Sequence, residues 1–136
     1  MTNYIIAYIC TAAVFLVIDF LWLGLVAKDF YFGQLGHLML DKINLPVAAG
    51  FYLLYALGIV VFAVSPALQT GQWTTALIYG AMSGFFAYAT YNFTNMATLK
   101  DWPTLMSIVD LIWGVALTSA SATLGFLLTN YIVGRF

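Results

Sequence analysis

Charge is scarce in this sequence. Only 7% of its 136 residues are charged, against about 25% in soluble domains. The acidic ones are all aspartate (Asp19, Asp29, Asp41, Asp101 and Asp110), with no glutamate anywhere, and the cations are Lys28, Lys42, Lys100 and Arg135. A soluble fold that is 64% hydrophobic needs a polar coat these residues cannot supply, so the solvent is lipid. The same scarcity excludes nucleic acid as a partner, because no basic patch exists to neutralise phosphates. The single cysteine, Cys10, permits no internal disulfide. With one histidine and one cysteine, histidine-box iron sites and most zinc sites are out of reach. No lysine lies inside an apolar run to form a retinal-type Schiff base, and neither a Gly-x-Ser-x-Gly elbow nor a phosphate-cradling loop occurs. No cofactor and no metal are expected.

What is present in quantity is hydrocarbon. Apolar runs long enough to cross a bilayer, about 20 residues, cover roughly residues 4–27, 45–65, 73–99 and 104–133. They predict an all-α, integral membrane four-helix bundle forming a single membrane domain over 1–136. The first run reads as a retained span rather than a secretory signal: no Lys or Arg precedes it, Asp19 interrupts it and no small-x-small cleavage pattern closes it.

Between spans one and two, the aromatic-rich stretch from Lys28 to Lys42 is too interrupted to cross and reads as an interfacial elbow. Pro46 suits the first turn of span two, and residues 66–72 form the second connection. Asp101 is positioned to cap span four. Gly80-x-x-x-Gly84 lets helices approach closely, either within the chain or across a homodimer seam. Lys28, Lys42 and Lys100 fall on one side of the four spans. The positive-inside rule therefore places both termini on the periplasmic side of a bacterial inner (cytoplasmic) membrane.

The polar residues gather at one depth. At about 1.5 Å per helical residue, Asp19 lies about 13 Å from Lys28, Asn92 about 12 Å from Lys100, and Asp110 about 10 Å from Pro103. Tyr52 and Tyr55 enter from the same side. Tyr88, Asn92 and Asn95 share a helical face with Tyr91 beside them, while Asp19 and Trp22, and Asp110 and Trp113, are each spaced by three. The matching Asp-x-x-Trp pairs read as coincidence, because their helices run antiparallel. His37 reads as a solvated loop residue, Trp102 as part of the aromatic belt, and Asn92-Phe93-Thr94 as a sequon made inaccessible by its place inside a span.

Asp19-Phe-Leu-Trp22-Leu-Gly24, the Tyr88-x-x-Tyr91-Asn92-x-Thr94-Asn95 run followed by Lys100-Asp101-Trp102-Pro103, and Asp110-x-x-Trp113-Gly114 resemble a bacterial family of small four-span membrane proteins, domain of unknown function family 2177. The resemblance covers nearly the whole chain. It implies four spans and a bacterial inner membrane, and no activity.

A carboxylate in a bilayer costs at least about 2.5–3.5 kcal/mol on insertion scales and usually faces an interior where it serves a function. Asp19, Asp110, Asn92, Asn95, Tyr88, Tyr91, Trp22, Trp113, Tyr52 and Tyr55 are therefore the candidate ligand-binding or proton-exchanging residues. The favoured expectation is a leaflet-confined polar pocket that binds or carries a small amphipathic or lipid-like ligand, with proton coupling through the carboxyls. Small multidrug exporters are analogous in length and in carrying a carboxylate in span one, but they lack the long elbow and the second carboxylate. The alternatives are an enzyme acting on a membrane lipid or isoprenoid, with one Asp as base and the other as acid, and a structural or assembly subunit whose carboxyls lock the bundle.

Overall fold

In hydrocarbon every backbone N–H and C=O needs a partner within its own segment, and the chain meets that demand with helices. The computed structural model describes residues 2–135 and contains no strand among them. Helix α1 (Thr2–Leu21) continues through a π-helical turn, Trp22–Val26. A short α2 (Lys28–Leu35) and a 3₁₀ turn (Gly36–Leu38) follow. Helix α3 (Leu45–Ile59) runs through a second π-helical turn, Val60–Val64, into α4 (Ser65–Thr70), and α5 (Trp73–Thr98) and α6 (Thr104–Ile132) complete the chain.

Three helical segments combine the length and hydropathy of a membrane span: Thr2–Val26, Leu45–Thr70 and Thr104–Ile132. Helix α5 has the length, 26 residues. Its composition is more polar, since Thr74, Thr75, Ser83, Thr90, Asn92, Thr94, Asn95 and Thr98 interrupt the apolar run. The coarse expectation of an all-helical membrane protein therefore holds, with three rather than four segments that qualify by composition.

Two local expectations are corrected. The second long helix does not stop at residue 65: it passes through Pro66 and ends at Gly71, whose left-handed backbone (φ 73°) lets its N–H close on the Ala67 carbonyl at 2.8 Å. A proline ring inside a helix collides with the carbonyl four residues back, here that of Phe62. The π-helical turn over Val60–Val64 widens the backbone at that point and accommodates the ring. Asp101 makes no capping hydrogen bond to α6 and adopts a left-handed φ of 59°. The helix instead starts on Pro103, where the Ser107 hydroxyl donates to the Pro103 carbonyl (2.8 Å) and accepts the Trp102 indole N–H (2.9 Å). Asn44 caps α3 through the Val47 N–H, with Pro46 in the first turn as its missing donor predicts.

Helix α6 is the centre of the molecule and packs against α5, α1, α3 and the second π turn. Small residues permit this. A side chain on Gly80 would come within 2.9 Å of the Ser119 Cα, one on Gly84 would collide with the Gly114 carbonyl, and one on Gly125 with the Thr11 hydroxyl. The Gly80/Gly84 face is thus occupied within the chain. Phe15, Ile59, Ala63, Val64, Leu117 and Phe126 form the apolar core around it.

Candidate functional site

The site grows from one end of α6, where Asp110 and Trp113 are one turn apart. The Asp110 carboxyl is held from two directions. Its Oδ2 accepts from Asn92 Nδ2 of α5 at 2.8 Å, and its Oδ1 accepts from the Tyr31 hydroxyl of α2, also at 2.8 Å. Asn92 is fully buried. Its amide donates a second time, to the Tyr88 carbonyl at 2.9 Å, which leaves the buried Asn92 Oδ1 without a partner. Burial first, and then the neighbouring Asp110 charge, raise the Tyr31 hydroxyl above its ordinary titration range, so it remains a donor.

Asp19 of α1 sits in a second seat and is 5% exposed. It accepts from the Trp113 indole N–H at 3.4 Å, and the Tyr52 hydroxyl of α3 faces it. The two seats are joined by the tryptophans. Trp22 and Trp113 stack with ring centres 4.2 Å apart and planes 10° from parallel, and the Trp22 indole N–H reaches the Tyr31 hydroxyl at 3.3 Å. No direct hydrogen bond links the carboxyls.

This arrangement gives the Asp-x-x-Trp repeat a physical reason and corrects its reading as coincidence. Thr11 lies against Gly125 while Asp19 meets Trp113, so α1 and α6 are antiparallel. Two antiparallel helices that each place Trp one turn beyond Asp bring the Trp of one level with the Asp of the other. Trp113 accordingly serves Asp19, and Trp22 serves Asp110 through Tyr31.

The other sequence candidates are distributed around this network. Tyr55 bonds the Thr118 hydroxyl at 2.7 Å and lies edge-on to Tyr88, whose ring covers Gly114 so closely that no side chain fits there. Phe15 packs against both Tyr52 and Tyr55. Tyr91 is exposed and pairs with the Trp102 ring, outside the carboxyl network. Asn95 shares the helical face of Asn92 but joins none of the site's side-chain hydrogen bonds; its carbonyl accepts the Leu99 N–H. Tyr31 was the residue missed: on the sequence it is one of several aromatics in the elbow, and its partner lies 79 residues away.

Both carboxyls are served by neutral donors only, while Lys28, Lys42, Lys100 and Arg135 are all exposed. No group of three or more His, Cys or Asp residues capable of holding a metal occurs among the described residues. A cavity of about 410 Å³ opens between α3 and α5, lined among others by Phe51, Tyr55, Gly58, Ser83, Ala87 and Thr118; neither carboxyl lines it.

No curated protein and no solved structure matches the chain. Residues 4–127 match the model of a family described as predicted membrane protein (DUF2177). That match covers nearly the whole sequence, and the chain belongs to this family of membrane proteins of unknown function.

Proposed function

We propose that this protein binds, and carries within the membrane, a small amphipathic or lipid-like molecule whose polar end is recognised at the Asp19–Asp110 network. The observation that carries this reading is the missing counter-charge: two carboxyls sit among helices of lipid-facing composition with only neutral donors beside them. In a low-dielectric surround a carboxylate without a cation is strongly unfavourable. The balance is completed by a proton, by a ligand cation, or by one replacing the other, and that exchange is the basis of proton coupling. The unpartnered Asn92 Oδ1 offers a buried acceptor next to Asp110 for a ligand hydroxyl or ammonium.

On this reading α5 is the fourth crossing helix and α2 the interfacial elbow. The composition of α5 is compatible with lipid because its hydroxyls turn inward on their own helix. Thr90 donates to the Phe86 carbonyl at 2.6 Å, Thr98 to the Thr94 carbonyl at 2.8 Å, and Thr94 to the Thr90 carbonyl. The positive-inside bias of Lys28, Lys42 and Lys100 supports a cytoplasmic elbow in a bacterial inner membrane.

An untargeted lipid mass profile tests the reading, comparing cells expressing the wild type with cells expressing Asp110→Asn at matched abundance, followed by proton-linked uptake in vesicles. A species whose level or transbilayer movement depends on Asp110 is expected. Identical profiles together with uptake unchanged in an Asp19→Asn, Asp110→Asn double variant would refute it. One observation favours a second reading, a structural lock: the reciprocal Trp–Asp arrangement ties α1 to α6. A lock predicts lost membrane abundance, rather than lost ligand, when a carboxyl is replaced.

A further inference from the structure

The second and third long helices do not meet along their whole length. Helix α5 packs closely against the π-helical turn Val60–Val64 and against α4, whereas Leu45–Ile59 approaches it more loosely, through the Tyr55–Tyr88 ring contact. The two helices therefore form a V, closed at the π turn and open toward the end of the molecule that carries Lys28, Lys42 and Lys100. The 410 Å³ cavity lies in this V. Its walls are Phe51 and Gly58 on one side and Ser83 and Ala87 on the other, with the bonded Tyr55 and Thr118 hydroxyls at its floor.

Depth assigns the occupant. Counting about 1.5 Å per residue from Leu45, the cavity runs from about 9 Å at Phe51 to about 25 Å at Phe62. Counted the same way from the ends of α5 and α6, Asn92 and Asp110 lie at about 9 Å. The apolar slot thus begins at the level of the polar network and runs on past the bilayer midplane, away from the headgroups of that side, as the chain of a molecule with its polar end at that network would. Tyr55 at the slot's floor lies edge-on to Tyr88 at 6.2 Å, and the Tyr88 carbonyl accepts from the Asn92 amide, so one chain of contacts joins the slot to the Asn92 anchor. A side chain added at Gly58 would meet nothing within 4 Å, so the slot has room that the chain itself does not fill.

We propose that the opening between α3 and α5 is a lateral binding slot for one hydrocarbon chain of a membrane amphiphile, an acyl or isoprenyl tail. The proposal rests on the amphipathic-ligand reading above and specifies which part of the protein takes the tail. Gly58, Ser83 and Ala87 keep the slot open, and the Tyr55 and Thr118 hydroxyls are bonded to each other at its floor.

The test uses the full chain in vesicles of phosphatidylethanolamine and phosphatidylglycerol, a small fraction of the phospholipid bearing a diazirine on one acyl chain. After irradiation, adducts are mapped by peptide mass spectrometry. The slot predicts labelling over residues 51–62 and 83–87 at least fivefold above that at Leu124 and Leu128, which are exposed on α6 outside the slot. It also predicts a fivefold fall in slot labelling in Gly58→Trp and in Ala87→Trp, with α6 labelling unchanged. Even labelling of all exposed apolar faces would overturn the proposal without requiring any variant to fold. So would unaltered slot labelling in both tryptophan variants, or a crosslink between two copies of the chain through Phe51. Slot labelling retained in the Asp19→Asn, Asp110→Asn variant, with an unchanged set of co-purifying lipids, would refute the head-group reading and leave the chain slot supported. Even labelling beside a carboxyl-dependent lipid would refute the slot alone.

Discussion

The two halves of α6 hold their neighbours by different means. From Gly114 to Asn130 the helix is lined with Gly114, Thr118, Ser119, Ser121, Ala122 and Gly125, all buried, and adjacent backbones come nearly into contact. From Thr104 to Trp113 it carries Ser107, Asp110 and Trp113, and its neighbours stay at side-chain distance, joined by hydrogen bonds and stacked rings. In lipid there is no water to drive helices together, so association rests on close packing or on polar partners. The first half relies on packing. The second relies on polar partners, for which a ligand's polar group could compete.

Substitutions sharpen this contrast. The largest effect is expected from Gly84→Val, whose added carbon collides with the Gly114 carbonyl and Thr118. Because the obstacle is backbone, overpacking should exceed about 3 kcal/mol, seen as loss of folded protein in detergent. Next comes Asp110→Ala, which strands the Tyr31 hydroxyl and the Asn92 amide; each stranded donor costs about 1–3 kcal/mol, measurable by thermal unfolding. Trp113→Phe keeps an aromatic ring on Trp22 but removes the donor to Asp19, and should destabilise by about 0.5–1.5 kcal/mol. The smallest effect is Gly58→Ala, at a position with open space around it. Lower backbone entropy in the unfolded chain predicts a gain of about 0.4–1 kcal/mol. If Gly58→Ala destabilised as much as Gly84→Val, the distinction between a packed and an open region would collapse.

Much of this was legible because hydrophobic length and depth are one-dimensional. The four apolar runs at roughly 4–27, 45–65, 73–99 and 104–133 all lie in long helices, and counting helical rise from Lys28, Lys100 and Pro103 puts Asp19, Asn92 and Asp110 at one level. Which side chain touches which was less accessible. Tyr31 reaches Asp110 only because the π turn Trp22–Val26 and a break at Ala27 fold α2 back onto α6, and nothing local to Phe30-Tyr31-Phe32 singles out the middle ring. Asn95 and Tyr91 lie near Asn92 in sequence, yet Asn95, nearly a turn closer to the end of α5, joins none of the site's side-chain hydrogen bonds, and Tyr91 faces Trp102. Pro66 was misleading because a proline signals a helix end in general, and a π turn one step upstream removes the reason for it.

The most direct test of whether Asp19 and Asp110 form a site rather than a lock is to measure thermal unfolding and bound lipid on the same purified samples of wild type, Asp19→Asn and Asp110→Asn. The account predicts that the variants unfold within a few degrees of the wild type, since Asn keeps the shape and an acceptor, but lose a lipid-like species that co-purifies with the wild type. A marked fall in unfolding temperature with the bound lipids unchanged would contradict it and make the carboxyls a structural clasp between α1, α5 and α6.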